Sequence, residues 1–260
     1  MLAANIRKAK TKYGEMAYYA DDKYIGKSLE LWGEYCECEV ALWRKFVKPG
    51  WRVIDGGANI GVLTVPLAEM VGYEGMVHAF EPQEELFELL KQNADRPNVR
   101  LFQVALGSAD GGQVAVPFLN ELATTNYGCV QTGWGSGRAD VRTIDALFAN
   151  KQIDFIKLDI EGAETFALEG ARAAIARCRP VLYVENHPAY KNNDIKLIRL
   201  IRSLGYRNYY HFGPLFNEDN INRVKENPFG DVASVNLLCI PVEKKEEYAH
   251  VTNAFSRPQA

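Results

Sequence analysis

Residues 51–61 read WRVIDGGANIG: an apolar run stops at Asp55, and three glycines follow before a segment of helical period. Glycine lets a chain turn sharply and lets its backbone approach a ligand, and a helix N-terminus offers unpaired N–H groups. A strand, glycine turn and helix in this order commit the chain to an α/β sheet whose ligands sit at the carboxyl ends of the strands. The helix is expected from about Asn59 to Met70, with Asn59 placed to cap it and Pro66 as a point where it could kink.

The alternation continues. MVHAFEP (76–82), VRLFQVAL (99–106), DFIKLDI (154–160) and PVLYVEN (180–186) read as further strands. Helical segments are expected at 83–96, 144–150, 161–178 and 193–205; the first puts Leu86, Leu89, Leu90 and Asn93 on one face. YRNYYHF (206–212) and VASVNLLCI (232–240) follow with no obvious helix between them, which predicts an antiparallel hairpin closing an otherwise parallel sheet. Residues 113–142 break the pattern, with strand-like pieces around QVAVPF and ADVRTI. The glycine-rich stretch TTNYGCVQTGWGSG between them reads as a loop at one rim. The expectation is a doubly wound, Rossmann-like α/β domain over 51–242. Before it comes an N-terminal helical extension or lid (1–50, helical at 29–46), and after it a charged tail (243–260).

Bulk properties narrow the function. The 260 residues are 47% hydrophobic and 24% charged, as in ordinary soluble domains, and carry a net charge of −3, which argues against a nucleic-acid partner. No apolar stretch nears the ~20 residues of a membrane span. The basic start MLAANIRKAKTKYGE lacks an apolar signal core, so a cytoplasmic protein is expected. The five cysteines (Cys36, Cys38, Cys129, Cys178, Cys239) are odd in number and lack a C-x-x-C pair, which points to reduced thiols.

Two cofactors could occupy the glycine turn. Read as Gly56-x-Ala58-x-x-Gly61, it loosely fits a dinucleotide fingerprint, with Glu81 about 20 residues past the turn as the ribose-binding acid. That reading gives an NAD-dependent oxidoreductase. Three features favour S-adenosylmethionine (SAM) instead. Asp55 would repel a pyrophosphate but suit the ammonium of SAM. The terminal hairpin is not needed by a dinucleotide fold. Finally, KLDIEGAE (157–164) puts Asp159 and Glu161 at the expected reaction centre.

VIDGGANIG, HAFEP, VALGSADG, IDFIKLDIEGAE and LYVENHP, in that order and spacing, resemble the FkbM family of SAM-dependent methyltransferases. YIGKSLELWGEYCECEVALWRKFVKPG resembles the lead-in of its bacterial members, so the likeness covers roughly 20–242. It implies a seven-stranded class I methyltransferase sheet with an antiparallel last strand, and methylation of hydroxyls on sugars, glycans or related natural products. It also implies that Asp55, Gly56, Gly57, Asn59 and Gly61 surround the methionine part of SAM, that Glu81 accepts from both ribose hydroxyls, and that Ala105 lies against the adenine. The chain departs from the family at Gly57, where an Ile or Val is frequent.

For the acceptor side, His187 is the general-base candidate, because its ordinary pKa lies near neutrality, or else it fixes the turn before Pro188. Asp159 and Glu161 either serve the acceptor or cap the helix near Gly162. Glu185 could orient His187, or join Asp159 and Glu161 as hard oxygen ligands for Mg²⁺. Asn126 and Tyr127 are the acceptor-contact candidates in the rim loop, with Trp134 as a further platform. In the N-terminal segment, Tyr24 and Glu34 are expected to point inward, while Leu29, Leu31 and Trp32 pack. N-methylation of a small metabolite and a non-catalytic SAM-binding module stay open as alternatives.

Overall fold

The computed structural model describes residues 5–186, 191–253 and 255, with backbone alone at 191–194. The chain opens with a hairpin, β1 (Ile6–Thr11) and β2 (Gly14–Tyr19), and two short helices, α1 (Ile25–Trp32) and α2 (Glu37–Trp43). There follow β3 (Arg52–Gly56), α3 (Thr64–Val71), β4 (Met76–Phe80), α4 (Glu84–Asn93), β5 (Val99–Phe102), β6 (Val104–Leu106), β7 (Gln113–Val116) and β8 (Gly137–Arg142). The second half holds α5 (Ile144–Leu147), β9 (Phe155–Leu158), α6 (Glu164–Glu169), α7 (Arg172–Cys178), β10 (Val181–Glu185), α8 (Lys191–Ser203), β11 (Tyr206–Pro214), β12 (Ala233–Pro241) and α9 (Ala249–Thr252).

The main sheet has seven strands in the order β11-β12-β10-β9-β3-β4-β5. All pairings are parallel except those of β12, which runs antiparallel to both β10 and β11, as the terminal hairpin predicts. From β3 the chain winds outward through β4 and β5, then returns to the other side of β3 as β9. The strand order therefore reverses between β3 and β9, the place where such sheets open a ligand crevice.

Alternate residues of the central strands feed two cores. Val53, Phe155, Tyr183 and Leu238 face one, and Ile54, Ile156, Leu182 and Leu237 face the other. The N-terminal segment is built into the first core. Trp43 is fully buried, its ring edge-on to Phe155 at 5.9 Å and to Tyr183 at 5.3 Å. A buried side chain of this size contributes roughly 1.5–3 kcal/mol or more, which anchors residues 5–50, expected as an extension or lid, in the core through α2. Their expected helical character is also corrected: residues 6–19 form a hairpin, and the helix expected over 29–46 is broken. Gly33, in the left-handed region, ends α1, and Cys36 starts α2 from the same region.

Other boundaries shift for local reasons. The third strand is interrupted at Gln103, and β6 leaves the main sheet to pair with β8 in a three-stranded sheet, β6-β8-β7. The first crossover helix starts at Thr64, not Asn59. Pro66 therefore falls in its first turn, where the missing N–H has no partner to lose. In α4, the Gln83 side chain accepts from Leu86 N at 2.7 Å, Glu84 and Glu85 sit at the positive end, and Leu86, Leu89 and Leu90 are buried. Asn93, on that same face, donates to the carbonyls of Ala17 and Ile60 and accepts from Ala17 N, tying the hairpin to the glycine turn. The tail from 243 is docked rather than free: Tyr248 and Val251 of its α9 region are buried, and Tyr248 contacts Phe46. All five cysteines are free thiols.

The helix expected over 161–178 is two helices, α6 and α7, separated at Gly170. A Cβ there would collide with the carbonyl oxygen of Gly107. Gly170→Ala is expected to lower stability by about 1–3 kcal/mol through this overpacking, read as a fall in thermal midpoint of several degrees. An unchanged midpoint would show that the helix break has another cause.

Candidate active site

Asp55 of β3 and Lys157 of β9 are register partners across the point where the strand order reverses. Both side chains are essentially without solvent contact, and Lys157 Nζ lies 3.0 Å from Asp55 Oδ1. The ammonium also donates to Gly57 O at 2.9 Å and Gly56 O at 3.3 Å, while Asp159 Oδ2 stands 3.8 Å away. The ammonium is thus hydrogen-bonded to two carbonyls and paired by charge with Asp55, whose Oδ1 accepts no hydrogen bond among the described residues. Thr64 Oγ1, at the start of α3, donates to Asp55 Oδ2 at 2.7 Å. Burial alone would favour the neutral amine, but the carboxylates of Asp55 and Asp159 outweigh it and hold Lys157 charged, well above the usual lysine range.

This pair fixes the turn. Gly57 is in the left-handed region, and a Cβ on it would strike the Asp159 carbonyl; a Cβ on Gly56 would come within 2.8 Å of Leu158. Asn59 is also left-handed and does not cap α3. Its N–H donates to Glu81 Oε2 at 2.9 Å, its amide donates to Tyr127 O at 2.7 Å, and its Oδ1 accepts from Ile60 N. Glu81 Oε1 accepts from Gln83 N at 2.9 Å. Burial pushes the Glu81 carboxyl up to about 7, with the Gln83 and Asn59 N–H groups pulling it down.

Above the turn lies a narrow cleft lined on its polar side by Gly57, Asn59, Glu81 and Asp159, and on its apolar side by Leu86, Val104, Ala105 and Leu106. Beside it is a second cavity of about 230 Å³. Asp159 and Glu161 line both, so they stand at the junction. Glu185, at the end of β10, lines only the second cavity. One oxygen from each of Asp159, Glu161 and Glu185 lies within 4.8 Å of the others. Burial, then the charges of Asp159, Glu161 and Glu164, drive the Glu185 carboxyl up to about 11, against a lowering by Lys157. Its Oε2 is buried with no hydrogen-bond partner among the described residues. Burial also raises Asp159, opposed by Lys157. A cation among these three oxygens would relieve that repulsion, so the donor set suits a hard divalent ion.

Several residues stand elsewhere than expected. Asp55 does not line the cleft; it lies behind the wall as the counterion of Lys157. Gly56 and Gly61 likewise shape the turn from behind, Gly61 against Leu90. Asp159 and Glu161 cap no helix, since α6 begins at Glu164 without a side-chain cap. Glu164 Oε1 instead accepts from Ile160 N and Gly162 N. Asn126 lines the second cavity, but the Tyr127 side chain turns away, its hydroxyl donating to Asp21 and its ring edge-on to Tyr19. Trp134 lines neither cavity. Tyr24 lines the second cavity; Glu34 does not, accepting instead from Asn217 Nδ2 and Ile221 N. Leu29 and Trp32 are packed, as expected. His187 lies outside the described residues.

Three participants escaped the sequence reading. Lys157 carried a signal, a lysine in the interior of the apolar strand FIKL. Glu39 of α2 and Tyr35, which both line the second cavity, carried none.

Among the described residues no helix is long and apolar enough to cross a membrane. No curated protein sequence matches the chain. Among solved structures, methyltransferase FkbM from Methylobacillus flagellatus KT aligns at 19% identity and a TM-score of 0.47, over 77% of this chain and 50% of its own. The chain thus spans half the length of that relative. A SAM-dependent O-methyltransferase from Thermotoga maritima aligns at 15% identity and 0.49, over 90% and 77%. An Aeropyrum pernix fibrillarin bound to S-adenosyl-L-methionine aligns at 12% and 0.47, over 92% and 84%. The methyltransferase FkbM domain model matches residues 55–208, more than half of the chain and including both members of the buried ion pair. The chain belongs to the FkbM methyltransferase family.

Proposed function

We propose that this protein is a SAM-dependent O-methyltransferase acting on a hydroxyl of a sugar, glycan or related natural product in the cytoplasm. The observation that carries the reading is the junction: Asp159 and Glu161 line both the cleft and the second cavity. A cofactor in the one and an acceptor in the other would meet at these two carboxylates.

SAM, when bound, supplies a methyl group on a sulfonium. The protein's part is to align acceptor and methyl and to take up the acceptor's proton. The cleft fits such a cofactor: Glu81 offers carboxylate oxygens to ribose hydroxyls, and Leu86, Val104, Ala105 and Leu106 offer an apolar slot to adenine. In this reading Asp159 accepts the acceptor proton, Glu161 and Asn126 orient the acceptor, and His187, two residues past Glu185, is a further base candidate. Mg²⁺ held by Asp159, Glu161 and Glu185 would bind acceptor hydroxyls and lower their pKa. The polar lining of the second cavity suits a hydroxylated acceptor.

Glu81 gives the cofactor reading a pH signature. Ribose hydroxyls donate to the ionised carboxylate, and its folded-state value of about 7 lies above the ordinary carboxylate range. Protonation therefore opposes binding as pH falls through 7, while the empty protein loses stability as pH rises through the same window. S-adenosylhomocysteine should bind up to about tenfold more tightly at pH 8 than at pH 6 by calorimetry. Glu81→Gln should weaken binding at both values and flatten the dependence. No binding to the wild type would sink the proposal.

The metal part has its own test. Mn²⁺, followed by electron paramagnetic resonance, should bind the wild type and lose at least about tenfold in affinity in Glu185→Gln, the loss typical of a removed ligand contact. Equal binding to both proteins would remove the three carboxylates as its site.

A further inference from the structure

The second cavity contains a fourth carboxylate that the cofactor and metal readings leave without a task. Glu39 projects from α2 and lines the cavity together with Asp159, Glu161 and Glu185. It is not one of the three whose oxygens cluster within 4.8 Å. Its surroundings are built. Ser234 Oγ donates to Glu39 Oε1 at 2.5 Å and Asn236 Nδ2 donates to the same oxygen at 3.1 Å. Both donors come from β12, where Asn236 is the register partner of Glu185. Both of these hydrogen bonds go to Oε1 and none among the described residues reaches Oε2, while the residue is only 3% exposed. A carboxylate oxygen without a donor, on a buried side chain that lines a cavity, awaits one.

The charge of the cavity says what kind of donor. Its described lining includes four acidic side chains and no lysine, arginine or histidine. Among the described residues the cation that acts on Glu39 is Lys157, which lines the cofactor cleft and directs its hydrogen bonds to Gly56 O and Gly57 O. A divalent ion on the three clustered carboxylates would still leave Glu39 Oε2 without a donor. A neutral hydroxyl could satisfy Oε2 as a hydrogen bond but would bring no positive charge to a lining of four acids. Phosphate and carboxylate groups would be repelled outright.

We infer that the cavity takes an acceptor carrying a protonated amine beside its hydroxyls, of the amino-sugar class, with the ammonium held by Glu39 Oε2. This rests on the methyl-transfer reading and adds the acceptor's charge to it. Ser234 and Asn236 hold the carboxylate in place, and the hydroxyl to be methylated lies toward Asp159 at the junction. Because Glu39 belongs to the N-terminal segment, that segment reads the acceptor as well as completing the core.

The test is calorimetry on the full chain saturated with S-adenosylhomocysteine, using glucosamine, glucose and glucuronic acid as probes. Glucosamine should bind at least tenfold more tightly than glucose, and glucuronic acid should not bind. Glu39→Gln should erase the preference while leaving S-adenosylhomocysteine affinity unchanged. The wild-type comparison stands without the variant if the variant does not fold. S-adenosylhomocysteine binding with no preference for glucosamine overturns this inference alone, as does tightest binding of glucuronic acid. Absence of S-adenosylhomocysteine binding removes the reading beneath it, and the inference with it.

Discussion

A buried ion pair across the middle of the sheet is what the rest of the site depends on. Asp55 and Lys157 sit opposite one another on neighbouring strands, where the strand order reverses. Two isolated charges in that position would each cost several kcal/mol, and their mutual pairing, with hydrogen bonds to the glycine carbonyls and from Thr64, makes them tolerable. The pairing has a geometric consequence. The lysine's remaining protons reach the carbonyls of Gly56 and Gly57, so the charge that neutralises Asp55 also fixes the glycine turn. Thr64 extends the same network to the first turn of α3.

From that turn the two halves of the site follow. On one side Asn59, held in a left-handed conformation, links Glu81 to the rim loop through Tyr127 O. This produces a cleft with a carboxylate at one wall and an apolar slot beyond. On the other side Asp159 follows Lys157 by two residues and emerges from the sheet at the second cavity. The loop after β9, the end of β10 and α2 bring three more carboxylates to it. The concentration of acid on one side explains why burial and mutual repulsion raise Glu185 so far. Positive charge from an ion or an acceptor would lower that cost.

Much of this was legible in the sequence. Alternating apolar runs and helix-period segments located all seven strands of the main sheet, and the absent helix before the last strand predicted its antiparallel direction. The glycines located the turn, and KLDIEGAE brought Asp159 and Glu161 to the strand end where they lie. Less legible was why each residue is there. Asp55 looked like a cofactor contact because its partner, Lys157, is 102 positions away and becomes its neighbour only through the crossover. Asn59 looked like a cap because its residue type suits that role, yet the turn holds it in the left-handed region before the helix starts. Glu39 was invisible: CECEV has no period or spacing that distinguishes an inward acid from a solvated one. The hairpin at 6–19 was missed because neither strand alternates: IRKAKT is exposed over most of its length, and GEMAYY ends in four consecutive buried residues.

The central claim is that Asp55 and Lys157 act on the cofactor turn as one unit. A double-mutant cycle on S-adenosylhomocysteine affinity, with Asp55→Asn, Lys157→Met and the pair together, measures this directly. Each single change leaves a buried charge without its partner, so each should cost more than the double change adds. The account predicts a coupling of at least about 1.4 kcal/mol, a factor of ten in affinity. Losses that simply add would contradict it.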